Sequence, residues 1–371
     1  MRVAIVHDWL TGMRGGEYVL EAMIGMYPDC DLFTLLHVPG ALSPTIESRP
    51  IRTSKLQSVP GAARWYRHFL PLMPRLIEQF DLTGYDLVIS SSHCVAKGVH
   101  KPRGSFHVSY VHAPMRYIWD LYDDYFGKDV ASLPVRIAAR TVRGYLRSWD
   151  QATATPDKVD VFLANSRFVA EKISRIYHRE STVVHPFANH KRFQRPRQPT
   201  ASYLMSGAFA PNKRVDLAIM AFNEMKLPLR IVGGGQDEIR LRAMAGPNIT
   251  FLGQISNTEI EIEFSKARAF VFPGIEDFGI TPIEAMAAGC PVIAYQGGGV
   301  LESVTPQVGM FFKPQTAAAL QTAVTQFELD LDLAGGKYLE ADIRKQSQLF
   351  TENSFRLAWN RALPDRFQGH I

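Results

Sequence analysis

The sequence predicts an α/β protein made of two doubly wound, Rossmann-like domains that face each other across a cleft. Three observations predict it. Short β-branched apolar runs alternate with helix-length amphipathic stretches along most of the chain, the pattern of parallel sheets wound by right-handed crossovers. The alternation is interrupted at residues 186–200, where proline and basic residues cluster without periodicity. Glycine-rich segments follow several strand candidates, at the strand ends where such sheets bind ligands. At roughly 150 residues per domain, 371 residues suffice for two cores.

The elements follow in chain order. Val3 to Val6 reads as a buried strand, followed by Gly12, Gly15 and Gly16 and a helix over Glu17 to Met26. Leu87 to Ser90 and Phe106 to Val111 are further buried strands. Val161 to Ala164 is another, with Asn165-Ser166 capping a helix from Arg167 to Tyr177, and Val183-Val184 ends the series. Residues 1–185 form the first domain and 186–200 the linker. In the second domain, 201–349, strands are predicted at Tyr203–Ser206, Leu229–Val232, Ile249–Leu252, Ala269–Phe272 and Pro291–Tyr295. Helices alternate with them at Val215–Met225, after Gly235 through Met244, at Asn257–Lys266 and at Pro282–Ala288. Residues 350–371 contain a helix, Phe350 to Leu363, expected to pack back on the first domain.

Composition excludes several classes. Apolar residues at 46% and charged residues at 21% exclude a disordered chain, a collagen and a coiled coil. The net charge of +5 divides as 22 basic against 18 acidic groups in residues 1–185 and 19 against 18 in 186–371. No dense basic stripe predicts nucleic-acid binding; the balance suits an anionic substrate or an anionic membrane face. Cys30, Cys94 and Cys290 show no disulfide or metal-ligand spacing, which favours a reducing compartment. No signal-peptide core or membrane span is legible. The expected location is therefore the cytosol, peripheral to the inner face of the cytoplasmic membrane.

The segment richest in chemistry is Phe272-Pro-Gly-Ile-Glu276-Asp-Phe278-Gly279-Ile280-Thr281-Pro282-Ile-Glu284. A buried strand ends at Phe272, and Glu276 sits in the loop at its carboxyl end. Thr281 is expected as the N-cap of a helix with Pro282 in its first position, so that free N–H groups and the helix dipole form an anion site. Thr281-x-x-Glu284 also reads as a capping box, in which Glu284 only bonds backbone. The Phe-Gly-Ile pressed in front of the helix tilts the balance toward a ligand site.

This Glu-x7-Glu spacing, with Phe278-Gly279 inside it and Ala-Met-Ala-Ala-Gly-Cys-Pro-Val behind it, resembles the retaining nucleotide-sugar glycosyltransferases of family 4, which have the GT-B fold. Gly15-Gly16-Glu17, Ser206-Gly207 leading to Lys213, and His112 after a strand support the resemblance. Tyr110-Val-His112-Ala-Pro-Met-Arg116-Tyr-Ile-Trp119, with Lys213-Arg214-Val-Asp216, is most similar to the mannosyltransferases of O-antigen and exopolysaccharide assembly. The resemblance implies that Glu276 faces the donor sugar and Glu284 the ribose. It implies that Lys213, with Arg214 beside it, neutralises the diphosphate. Backbone of Gly15, Gly16, Phe278, Gly279 and Ile280 would cradle phosphate and sugar, and His112 would lie beside the reacting carbon. The family places an arginine after the glycine preceding the lysine; here that residue is Ala208.

Neither Asp29-Cys-Asp31 nor Asp330-Leu-Asp332 sits after a strand within a nucleotide domain, so no metal and no cofactor is expected. Residues 131–149 place Arg136, Arg140, Arg143 and Arg147 on one helical face and contain no acid. Arg64-Trp65-Tyr66-Arg67-His68-Phe69 adds a second basic and aromatic segment. Both predict contact with an anionic membrane, and with Arg116 they suit a polyprenyl-diphosphate-linked glycan acceptor. The leading expectation is thus transfer of a hexose, mannose from GDP-mannose, to a lipid-linked oligosaccharide. A UDP-sugar 2-epimerase and a non-catalytic nucleotide-sugar binder are the alternatives. A dinucleotide dehydrogenase is disfavoured, because the chain has no Gly-x-Gly-x-x-Gly.

Overall fold

Val3–His7 (β1) is buried at every position, which is why it reads as an unbroken apolar run: a parallel strand covered on both faces has no polar side to alternate with. The computed structural model describes residues 1–120, 122, 133–332 and 337–370. The chain divides into two units, Met1–His185 with Phe355–Ile371, and Pro186–Ser354.

In the first unit, β1 is followed by α1 (Gly15–Met26), β2 (Asp31–Thr34), β3 (Ile51–Thr53), β4 (Leu87–Ser92) and β5 (Phe106–Val111). Then come α2 (Leu133–Ala152), β6 (Val161–Ala164), α3 (Arg167–Tyr177) and β7 (Thr182–Val183). The seven strands run in the order β3-β2-β1-β4-β5-β6-β7, with every pairing parallel. The strand order reverses between β1 and β4, where His7 lies opposite Ser91. That reversal opens the crevice in which doubly wound sheets bind ligands.

The second unit repeats the plan. β8 (Tyr203–Ser206), α4 (Val215–Met225), β9 (Leu229–Val232), α5 (Glu238–Met244), β10 (Ile249–Gly253) and α6 (Asn257–Lys266) form its first half. β11 (Phe270–Phe272), α7 (Ile280–Ala287), β12 (Val292–Tyr295), β13 (Gly309–Phe312), α8 (Ala317–Leu331) and α9 (Glu340–Ser347) follow. The sheet order is β10-β9-β8-β11-β12-β13, again parallel, reversing between β8 and β11.

Residues 186–200, read from composition as a linker, are packed parts of the second unit. Ala188 and Phe193 are buried in its core. Arg344 donates to the carbonyls of Phe193 (2.8 Å) and Arg195 (2.9 Å). Gln198 N–H and Thr200 N–H donate to the carbonyls of Ser265 and Lys266. Prolines remove helix and ladder hydrogen bonds, but they do not prevent tertiary packing. The terminal helix α10 (Glu352–Arg361) carries Trp359, whose indole N–H donates to Tyr27 Oη at 2.9 Å on the first unit. Phe367 stacks on Phe106, with centroids 4.6 Å apart.

Helix α2 is pinned by a buried polar group. Lys97 Nζ lies 2.9 Å from Asp150 Oδ1 and donates to Thr153 Oγ1 at 2.7 Å. Asp150 Oδ2 accepts from Trp119 Nε1 (2.7 Å) and Tyr177 Oη (3.0 Å). A charge pair taken out of water persists when further hydrogen bonds offset its desolvation, as those from Trp119 and Tyr177 to Asp150 Oδ2 and from Lys97 to Thr153 do here.

Candidate functional site

In the second unit the reversal point gathers the predicted donor residues. After β8 the chain passes Gly207 and a 3₁₀ turn, Pro211–Lys213. After β11 it passes Gly274, where a Cβ would fall 2.6 Å from Asn212 O and 2.8 Å from Lys213 Cα. Only glycine allows that approach, and it places the Lys213 ammonium in ion contact with the Glu276 carboxylate. Both side chains keep some solvent contact, at 23% and 16% exposure. Gly299 N–H donates to Glu276 O at 2.9 Å and steadies the same loop.

Helix α7 starts earlier than its sequence suggests. Its N-cap is Gly279 at φ +89°, not Thr281, and it carries no side-chain cap. Glycine takes this left-handed conformation without steric cost. Glu284 therefore lies in the second turn and forms no capping box. Its nearest cation is Arg192, at 3.9 Å, which donates instead to Glu261 Oε1 at 3.1 Å. Burial pushes the Glu284 carboxyl up to about 7, against the weaker opposing pull of Arg192.

That shift makes a stability prediction. The folded protein holds the Glu284 proton to higher pH than the unfolded chain does. The cost is nil below the ordinary glutamate range, grows as pH rises toward 7, and is constant above it. Glu284→Gln is thus expected to raise the unfolding free energy by about 2–3 kcal/mol at pH 8 and to change it little at pH 4.5. Thermal unfolding of both proteins at the two pH values checks this; equal differences at both would remove the cause.

Arg214 and Phe278 have partners within the second unit. The Arg214 guanidinium forks onto Asp216, at 3.1 and 3.4 Å, and reaches Gln315 Oε1 at 3.5 Å. Adjacency to Lys213 did not bring the two cations together, because Arg214 sits at φ +51° and turns into α4. Phe278 is buried in the core with its ring 5.8 Å from Phe350. Ile280 packs half-buried against the same core.

In the first unit, Gly15 and Gly16 form the first turn of α1 instead of a loop before it. Arg14 N–H donates to Glu17 Oε2 at 3.1 Å, which closes that helix end. Gly16 lies against His7 and His112: a Cβ there would sit 3.7 Å from His112 Cε1 and 3.8 Å from His7 Cε1. Sequence reasoning missed the rest of this cluster. Ser91 Oγ lies 3.0 Å from His7 Nδ1 and 2.8 Å from His112 Nε2. His7 Nε2 is 3.9 Å from Glu17 Oε1. Asp8 is fully buried and accepts from four backbone N–H groups, those of His93, Cys94, Val95 and Ala96, at 2.5–3.0 Å. It also holds His93 Nδ1 at 3.1 Å. The one available signal was the polar pair His7-Asp8 closing an apolar strand. Burial, then His93 and His7, pushes the His112 imidazole well below its ordinary value. Burial works to raise the Glu17 carboxyl, but the neighbouring His7 and His93 imidazoles prevail and hold it down.

The basic helix divides its arginines. Arg143 and Arg147 each donate Nε to the Ile118 carbonyl, at 2.9 and 2.8 Å, and lie over the Tyr122 and Trp119 rings. They are spent inside the unit, unlike the expected free face. Arg140 is exposed, Arg136 half-exposed, and Arg116 partly buried. Residues 131 and 132 of the predicted segment lie outside the described residues. Trp65, Leu72, Ile137 and Tyr145 remain exposed.

Both Asp-x-Asp tripeptides have structural partners. Asp31 accepts from Tyr85 Oη, and Asp330 takes Lys337, Tyr338 and Gln326. Among the described residues no group of three or more potential metal ligands occurs. No helix among them is long and apolar enough to cross a membrane, and Cys30, Cys94 and Cys290 are buried and free.

Residues 186–335 match the family model of the glycosyl transferases group 1. Over 102 residues the chain is 38% identical to a GDP-mannose-dependent α-mannosyltransferase of Mycolicibacterium smegmatis, covering 27% of each protein. Over 178 residues it is 28% identical to an O-antigen chain mannosyltransferase of Salmonella typhimurium, covering 45% of this chain and 50% of that protein. The chain thus spans half or less of these curated relatives. Its backbone superposes on sucrose-phosphate synthase from Thermosynechococcus elongatus with a TM-score of 0.68, at 20% identity over 97% of this chain and 98% of the other, a likeness of fold. With two Rossmann-like sheets of the same strand order, the chain has the GT-B fold, and its residues 186–335 are a glycosyl transferases group 1 domain.

Proposed function

We propose that this chain transfers mannose from GDP-mannose, with retention, to a polyprenyl-diphosphate-linked glycan in cell-surface polysaccharide assembly. The Lys213–Glu276 pair at the β8/β11 reversal, beside the start of α7, carries the reading. The leaving diphosphate gains negative charge in the transition state, and a fixed ammonium with oriented N–H dipoles lowers that barrier. Lysine acts there as a point charge. As the diphosphate takes the lysine, Glu276 is released to accept hydrogen bonds from sugar hydroxyls, and Glu284 accepts from the ribose. The donor is a substrate, and the reaction uses no metal or cofactor. Similarity to GDP-mannose-dependent and O-antigen mannosyltransferases supports the sugar and the acceptor class. Exposed Trp65, Leu72, Ile137 and Tyr145, among Arg64, Arg67 and Arg140, support docking on an anionic membrane. Each basic group at such a surface contributes about 1 kcal/mol.

The test supplies GDP-mannose, UDP-glucose and ADP-glucose in turn. GDP-mannose is expected to raise the thermal midpoint most, since a ligand selective for the native state adds apparent stability. Radiolabelled mannose is expected to move to a polyprenyl-diphosphate glycan in anionic vesicles. Conversion of a UDP-sugar without acceptor would assign an epimerase instead, and binding without turnover a nucleotide-sugar receptor.

A further inference from the structure

Ser91 stands between two imidazoles. A hydroxyl has one proton to donate and lone pairs to accept with. It therefore cannot donate to His7 Nδ1 and His112 Nε2 together: at least one ring presents N–H to Ser91 Oγ, and a ring that presents a lone pair takes the Ser91 proton. The electrostatics of the far side of His7 decides which. His7 Nε2 is sealed from solvent, has no hydrogen-bond partner closer than its 3.9 Å contact, and faces the Glu17 carboxylate. Glu17 Oε2 also accepts from Arg14 N–H at 3.1 Å, as a carboxylate does. A lone pair aimed at that carboxylate is repelled, whereas an N–H is attracted. His7 accordingly carries its proton on Nε2 and accepts at Nδ1 from Ser91 O–H. Ser91 Oγ then accepts from His112 Nε2–H.

We propose that Glu17, His7 and Ser91 are positioning residues that set the tautomer of His112, leaving its Nδ1 as a bare lone pair. Nδ1 makes no hydrogen bond to another described residue and is not among the sealed polar atoms. His112 is thus built to accept a hydrogen bond, not to give one. Resting on the transferase reading, its partner is a hydroxyl of the sugar or of the acceptor glycan. Asp8, which holds His93 through Nδ1, keeps the third ring of the cluster out of this chain. The neighbouring rings lie 6.5 Å (His7) and 6.4 Å (His93) from His112.

The experiment uses the full chain with isotope-labelled histidine and two-bond nitrogen–proton correlation spectra, which separate the two neutral tautomers. His112 is expected to show a protonated Nε2 and a bare Nδ1. Ser91→Ala and Glu17→Gln are each expected to give averaged tautomers at His112. For transfer, Ser91→Ala is expected to lower kcat about fivefold to tenfold, the worth of one hydrogen bond, with the donor KM unchanged. A wild-type His112 protonated on Nδ1 would overturn the proposal, as would an unchanged His112 pattern in Glu17→Gln. Should Ser91→Ala fail to fold, the wild-type and Glu17→Gln spectra still decide it. The spectra are recorded without substrates, so failure of mannosyl transfer leaves the tautomer result standing, and the reverse holds as well.

Discussion

Lys213→Ala is expected to lower kcat/KM for sugar transfer by about 10²–10³, while the thermal midpoint stays within the scatter of surface variants. The activity loss follows from the charge balance. On the proposed donor reading, removing the ammonium takes away the cation that neutralises the leaving diphosphate and leaves the Glu276 carboxylate without its counter-charge. Deleting one preorganised stabiliser of transition-state charge costs about 3–4 kcal/mol. The stability effect is small because Lys213 and Glu276 are both partly solvated. A pair of that kind contributes about 0–1 kcal/mol to folding. Steady-state kinetics with GDP-mannose, beside calorimetry, separates the two effects. Lys213→Arg retains the charge and is expected to recover part of the activity. A variant that loses much of its thermal stability but keeps its turnover would make the pair a structural one and end the donor assignment.

The largest stability effect is expected at Asp8. Asp8→Ala is expected to destabilise the first unit by about 3–5 kcal/mol, as breaking a buried charged contact does. Four backbone N–H groups between His93 and Ala96 lose their acceptor at once. Each buried unmatched donor costs about 1–3 kcal/mol. The turn they cap leads to Lys97, whose ammonium anchors Asp150 on α2, so the damage reaches the helix bearing Arg136 and Arg140. Asp8→Asn keeps one acceptor oxygen and is expected to lose less. Calorimetry of the full chain should show the first-unit transition moving down while the second holds its place. Two transitions moving together would mean that the carboxylate supports more than its own unit.

Much of this architecture was legible before any coordinates. β5, β6, α3, β8, α4, β9 and α6 fall where their patterns put them, because the strands are buried on both faces and read as apolar runs while the helices bury one face at helical spacing. Elements with weak faces were not legible. β2 begins with Asp31, and β3 is a three-residue edge strand with a solvated middle, so neither reads as an apolar run. The start of α7 was misread because a glycine at positive φ can end a loop with no capping side chain to announce it. The arginines of α2 carried helical spacing but not their destinations: two of the four turn inward to a single carbonyl.

Local pattern by itself determined that this protein has two parallel αβ units, that glycine-rich turns end their strands, and that a Glu-x7-Glu segment stands at one of those ends. It could do so because burial on a strand or helix face is written in neighbouring residues. Tertiary structure alone decided which groups meet: His7 with Ser91 across 84 positions, Lys213 with Glu276, and Arg214 with Asp216. Those meetings follow from strand order and register, which depend on how whole sheets pack, and no short stretch of sequence contains that information.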